Sequence, residues 1–171
     1  MANVFFDGAG FKAEQLAVAQ FGGKLLSDKA NQYKDIDALL QTKSGSKATA
    51  SVKDQLSSSQ RYGAIQIEMK LTNTLTGASM GGCFIKCEAD FYFWRVWTVE
   101  HGDTWAIVKV SVMKDFIRNN AQRLKKWQTQ EKTEAKNRSY GRKFDRAAGY
   151  VVPMEDLKSI AQLKPVEGTK Q

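Results

Sequence analysis

Two aspartates, Asp35 and Asp37, stand just ahead of a short apolar run, Ala38-Leu39-Leu40, and a polar turn around Gly45 leads from there into an alternating stretch that carries Lys53. If that turn joins two adjacent strands, Asp37 and Lys53 lie side by side at one end of a sheet. A carboxylate beside an ammonium suits metal-assisted phosphodiester hydrolysis. The carboxylate holds Mg²⁺, and the ammonium orients or activates the attacking water or offsets the charge of the scissile phosphate. On the second strand, residues 48–55, side chains alternate: Thr49, Ser51, Lys53 and Gln55 share one face, Ala50, Val52 and Asp54 the other. A face of Thr, Ser, Lys and Gln borders either solvent or a polar cleft.

Two further acids belong to the same argument. Glu14 lies in the first turn of a helix expected over residues 12–26, with Gly22-Gly23 as its stop signal. There it either answers the helix dipole or reaches toward the hairpin as a metal or water ligand. Glu68 lies on the polar face of a strand over residues 64–72, where Ile65, Ile67, Met69 and Leu71 alternate with Gln66, Glu68 and Lys70. Glu68-Met69-Lys70 is itself a Glu-x-Lys tripeptide and competes with Lys53 for the same role.

The remaining elements must position these groups. The hairpin's first strand is expected over residues 34–41, and loops over 57–59 and 73–82. The aromatic run 89–99 reads as a buried central strand rather than a base-stacking platform. A turn at His101-Gly102-Asp103 leads to a return strand over 104–112, then a helix over 114–127. A strand at 150–153 and a helix over 154–163 close the chain, with a frayed tail from 164 to 171.

The chain has 171 residues, enough for one domain, expected over residues 1–163. Its formal charge of +8 favours a polyanionic partner. Residues 118–146 hold ten bases against three acids, a net +7. Arg123, Lys125, Lys126, Lys136, Arg138, Arg142, Lys143 and Arg146, interleaved with Tyr140 and Phe144, are the expected phosphate-backbone contacts, in a segment expected to be partly disordered without DNA. No apolar run reaches the length of a membrane span, and residues 1–7 lack a signal peptide's basic and apolar regions, so a cytoplasmic protein is expected. Cys83 and Cys87 read as ordinary thiols. With His101 the only histidine, neither a four-ligand zinc site nor a histidine-dependent hydrolase fits.

The order of helix, hairpin, strand, loop, strand, strand, helix resembles the PD-(D/E)XK nuclease superfamily, and within it the phage and archaeal-type Holliday-junction resolvase-like group. The resemblance runs over about residues 8–163. It is carried by Lys12-Ala13-Glu14, Asp35-Ile36-Asp37, Ser51-Val52-Lys53, Lys86-Cys87-Glu88-Ala89-Asp90-Phe91-Tyr92, and the closing Gly149-Tyr150-Val151-Val152-Pro153-Met154. It implies an α/β, restriction-endonuclease-like fold, a mixed central sheet flanked by helices. It also implies Mg²⁺ (or Mn²⁺) as cofactor, DNA as partner, with a branched junction ahead of plain duplex, and a homodimer. By this resemblance Asp37, Glu68 and Glu14 hold the metal, Lys53 orients or activates water, and Gln55 helps position water or phosphate. One position departs from the pattern: Ser51 stands where the family has Asp or Glu. Either a neighbouring carboxylate substitutes, Glu68 first and Asp54 second, or Gln55 supplies a neutral oxygen, or the protein binds DNA without cutting it. RNA or an anionic membrane surface would answer the charge but not the hairpin.

Overall fold

The computed structural model describes residues 9–169. The stretch read above for a signal peptide lies outside the described residues, as do the last two positions. Helix α1 (Ala9–Phe21) ends earlier than expected, because Gly22 and Gly23 both take positive φ and release the chain into β1 (Gly23–Leu25). Asp28 caps α2 (Lys29–Tyr33) by accepting the Asn31 N–H. The hairpin of β2 (Ala38–Gln41) and β3 (Lys47–Asp54) is present. The first half of the strand expected over 34–41 is instead a turn, since Asp35 sits at φ 54°, a left-handed conformation that no strand can continue. In place of the expected loop at 57–59 stands α3 (Leu56–Tyr62), begun by the Asp54 carboxylate accepting the Leu56 N–H and closed by left-handed Gly63.

Strand β4 (Ala64–Thr72) has the expected bounds, with a bulge between Glu68 and Lys70 that interrupts its alternation. Part of the loop expected at 73–82 is β5 (Ser79–Gly81), which returns along β4, and one helical turn follows as α4 (Cys83–Lys86). The aromatic hairpin is β6 (Phe91–Thr98) and β7 (Gly102–Lys109), followed by α5 (Val110–Asn120). The helix expected to reach residue 127 stops there, and its last residues form β8 (Lys125–Gln128). Next come α6 (Glu131–Ser139), β9 (Arg146–Pro153), α7 (Met154–Ile160) and β10 (Gln162–Pro165). The expected tail is thus partly a strand: Lys164 and Pro165 pair with β7, and Val166 is buried.

The fold is mixed α/β. A six-stranded sheet has the order β1-β2-β3-β6-β7-β10, parallel only between β3 and β6. A parallel pair needs a long crossover, and here that crossover carries α3, β4, β5 and α4. A second, antiparallel sheet has the order β5-β4-β9-β8. One face of the six-stranded sheet packs on α1, whose Ala13 and Ala17 let the helix approach Ala50, Val52, Phe93 and Trp105 closely. The other face, with Tyr92, Trp94, Val96 and Val108, packs against β4, β9, α4, α5 and α7. Strand β6 is buried on both faces, as its continuous apolar run anticipates. Among the described residues no helix is long and apolar enough to cross a membrane.

Gly149 sits where β4 bulges between Glu68 and Lys70, opposite both Glu68 and Trp127. A Cβ there would lie 1.7 Å from the Ile67 carbonyl oxygen. Gly149→Ala is expected to lower unfolding free energy by about 3 kcal/mol, measured by urea denaturation.

Candidate functional site

The alternation of β3 points Ala50 and Val52 at α1 and turns Ser51 and Lys53 the other way, in register with Tyr92 and Trp94 of β6. A serine and a lysine on the inner face of a central strand need polar partners. Asp35 supplies them. Its carboxylate accepts the Ser51 hydroxyl at 2.9 Å and the Lys53 ammonium at 2.5 Å. The left-handed backbone at Asp35 makes this reach possible, and aspartate tolerates that conformation better than most residues. Asp37 is fixed by its backbone, which donates to the Ala50 carbonyl and accepts the Leu26 N–H. Its side chain accepts the Val52 N–H at 2.7 Å and lies 3.9 Å from the Lys53 ammonium.

The electrostatics follow from this crowding. Burial works to lower the pKa of Lys53, but Asp35 and Asp37 outweigh it and hold the ammonium above its ordinary range. Lys53 therefore stays protonated and cannot accept a proton. Burial also pushes the Asp37 carboxyl up, helped by Asp35 and opposed by Lys53 and the Val52 N–H. Glu14, reaching in from α1, is raised to about 7, first by burial, then by Asp37, with Lys53 working against the rise. These acids outnumber the one lysine that faces them.

Glu68 and Gln55 line a cavity of about 200 Å³ together with Asp35 and Lys53. Glu68 accepts the Cys83 N–H at 3.1 Å, and the Gln55 side-chain oxygen accepts the Gln66 N–H at 3.1 Å. Asp54, the second substitute considered for the missing acid, points away from the cluster. It pairs with Arg95 at 3.1 Å, which also grips Asp103, on the α1 side of the sheet. Three features escaped sequence reasoning. Asp35 is the carboxylate in contact with Ser51. Trp127, assigned above to a helix, lines the cavity from β8. Cys83 does too, as a free thiol that burial pushes up to about 12 despite Lys53, so it is no nucleophile near neutral pH.

The basic segment divides by residue type. Arg123 pairs with Asp156, Arg138 with Asp145 and Arg146 with Glu134, at 2.9, 2.7 and 2.7 Å, so three of the expected DNA contacts are already answered by carboxylates. The last two pairs join α6 to the start of β9 and the residue before it. Among the described residues, no acid pairs with exposed Lys125, Lys126, Lys136 or Lys143; Lys136 and Lys143 lie over the rings of Tyr140 and Phe144. Arg142 is exposed.

Among the described residues no three Asp, Glu, His or Cys side chains are grouped to enclose a metal by themselves. Mg²⁺ is commonly bound by one or two carboxylates and completed by water and substrate phosphate. The oxygen donors of Asp37 and Asp35 fit that mode.

The folded state holds the Glu14 proton more tightly than the unfolded chain does. This group thus favours folding below its ordinary pKa of 4.5, and that contribution is lost as pH rises to about 7. In EDTA, Glu14→Gln should melt at a higher temperature than the parent at pH 8 and converge with it toward pH 4. The Glu14 carboxyl should titrate near pH 7 by ¹³C NMR.

No protein-family model matches this chain, and no curated protein does. Among solved structures, a bacterial homing endonuclease, I-Ssp6803I, overlaps it with a TM-score of 0.42 at 17% identity, covering 60% of this chain and 68% of that one.

Proposed function

We propose that this protein is a Mg²⁺-dependent DNA endonuclease on a restriction-endonuclease-like fold, acting at the cluster of Glu14, Asp35, Asp37, Lys53, Gln55 and Glu68. The observation that carries the reading is the Asp35–Ser51–Lys53 contact. It brings a carboxylate to the strand position where the sequence has a serine, so the acid is supplied from the approach to β2. Asp37 and Asp35 would hold the metal, with Glu14 and Glu68 adding charge or bonding its waters. The bound ion would offset charge on the scissile phosphate and acidify the attacking water. Lys53 remains an ammonium and draws the phosphate oxygen into place, while the Gln55 amide orients water or phosphate. The unpaired lysines of β8 and α6 follow the DNA backbone. A branched junction is the leading substrate and duplex DNA the second. A homodimer follows if two strands are cut symmetrically.

A second reading has its own support. Both Asp35 oxygens are already engaged, by Ser51 and Lys53, so the cluster is satisfied without a metal and the protein could bind DNA without cutting it.

Supercoiled plasmid and a four-way junction, incubated with the protein in Mg²⁺, should be cut, and EDTA should stop the reaction. Asp35→Asn and Lys53→Ala should each lower the rate on the order of 10²-fold or more, with folding checked by circular dichroism. The double variant Asp35→Asn with Ser51→Asp, which moves the charge onto β3, should recover part of what Asp35→Asn loses. DNA binding without cleavage by any of these proteins would favour the second reading.

A further inference from the structure

The turn between β4 and β5, residues 73–78, has no charged side chain, and at its tip Leu75 is 80% exposed. A single exposed apolar residue is ordinary. What sets this one apart is how firmly its turn is built. The Asn73 side-chain oxygen accepts the N–H groups of Leu75 and Thr76 at 3.0 and 3.2 Å. The Asn73 backbone bonds Gly77 and Ala78, and Gly77 closes the turn at φ 75°. The turn thus presents the leucine side chain to water instead of packing it.

A second anchor ties the turn to the basic segment. Asp145 is 2% exposed, and its carboxylate accepts the Thr74 N–H at 2.8 Å and the Thr74 hydroxyl. Arg138 donates to that carboxylate and to the Thr74 hydroxyl, both at 2.7 Å. The Asn73 amide donates to the Lys143 carbonyl at 3.0 Å. These bonds set the turn against the segment that follows α6. There Tyr140 is exposed, and Lys136 and Lys143 lie over aromatic rings with no acidic partner among the described residues. The acids of this region, Glu134 and Asp145, are consumed by Arg146 and Arg138. The surface is an apolar point beside uncompensated cations. Duplex DNA offers the complement, with phosphates outside and apolar base stacks between them.

The same hairpin is rooted in the proposed active site, where Glu68 of β4 accepts the Cys83 N–H just past β5. From Glu68 to Thr72 the strand runs roughly 13 Å at about 3.3 Å per residue, on the order of four base-pair steps. One duplex can therefore meet both the cluster and the turn.

We infer that Leu75 is a wedge that enters the minor groove of duplex DNA and parts one base step, with Lys136 and Lys143 holding the phosphates beside it. This rests on the proposed function for DNA as the partner and goes beyond it in naming how the duplex is held: distorted at the turn, a few steps from the site of cutting. Parting a base step costs stacking energy, which the contacts of a kinked duplex offset. The bonds of Asn73 and Asp145 fix the wedge before DNA arrives, so little ordering is left to be done on binding.

A wedge unwinds the duplex it enters, and linking number reads this without a known binding sequence. Relaxed closed-circular plasmid is saturated with the protein in EDTA, where no cutting occurs, and treated with a topoisomerase that needs no metal. After the protein is removed the plasmid should be negatively supercoiled. At matched occupancy, Leu75→Ser should shrink the change in linking number severalfold, and Leu75→Phe should keep it. Both variants should melt as the parent does, since the side chain is exposed. Lys136→Ala with Lys143→Ala should weaken binding and lower the slope of log K against log salt by about two. Saturated plasmid with unchanged linking number overturns the inference, and so does a Leu75→Ser protein that unwinds as the parent does. A Leu75→Ser protein whose oligomeric state changes while its unwinding does not makes the tip a contact between copies instead. Leucine-dependent unwinding by a protein that cuts no DNA in Mg²⁺ keeps the wedge and removes the nuclease reading. Cutting in Mg²⁺ without unwinding does the reverse.

Discussion

An ammonium on the inner face of a central strand is the constraint around which this site is built. Lys53 alternates inward with Ser51 because Ala50 and Val52 must face α1. A lone charge in that position would be prohibitively desolvated, so the fold has to deliver carboxylates to it. Asp35 and Asp37 arrive from the approach to β2, one through a left-handed turn and the other through backbone pairing with Ala50. Once there, they hold the Lys53 ammonium above its ordinary pKa against the pull of burial. Asp37 also adds to the rise of the Glu14 carboxyl, which burial causes first.

Much of the frame was legible because strands buried on one face must alternate. Residues 64–72 declare themselves by Ile65, Ile67, Met69 and Leu71, and β6 by an apolar run that only a doubly covered strand needs. The hairpin and the approach of Asp37 to Lys53 followed from the turn at Gly45 and the period of two. The placement of Asp35 did not follow. It depends on a five-residue helix and a positive φ at a non-glycine residue, and neither leaves a periodic trace. Strand β8 was hidden because Phe116, Ile117, Leu124 and Trp127 keep approximate helical spacing past the point where α5 stops. The turn at Asn120 to Leu124 buries Leu124 without continuing the helix. Strand β10 reads as a tail from composition, since an edge strand of four residues needs little apolar surface.

The basic segment shows why charge alone overstates a binding surface. Its guanidiniums are spent on structure: Arg138 and Arg146 reach Asp145 and Glu134, two acids that are almost wholly buried. The planar fork of arginine suits such fixed pairing, while the flexible lysine is the better free cation for a phosphate chain. Of the eight bases singled out in the sequence, Lys125, Lys126, Lys136 and Lys143 are exposed with no acidic partner among the described residues, and the first two lie just ahead of Trp127 on β8.

Crystals soaked in Mn²⁺ give the most direct measurement, because its anomalous scattering locates the ion without reference to activity. The account predicts a peak within bonding distance of an Asp37 carboxylate oxygen, beside Asp35, at the mouth of the cavity that Lys53 lines. Saturating Mn²⁺ with no peak there, and with the Asp35 bonds to Ser51 and Lys53 unchanged, would contradict it.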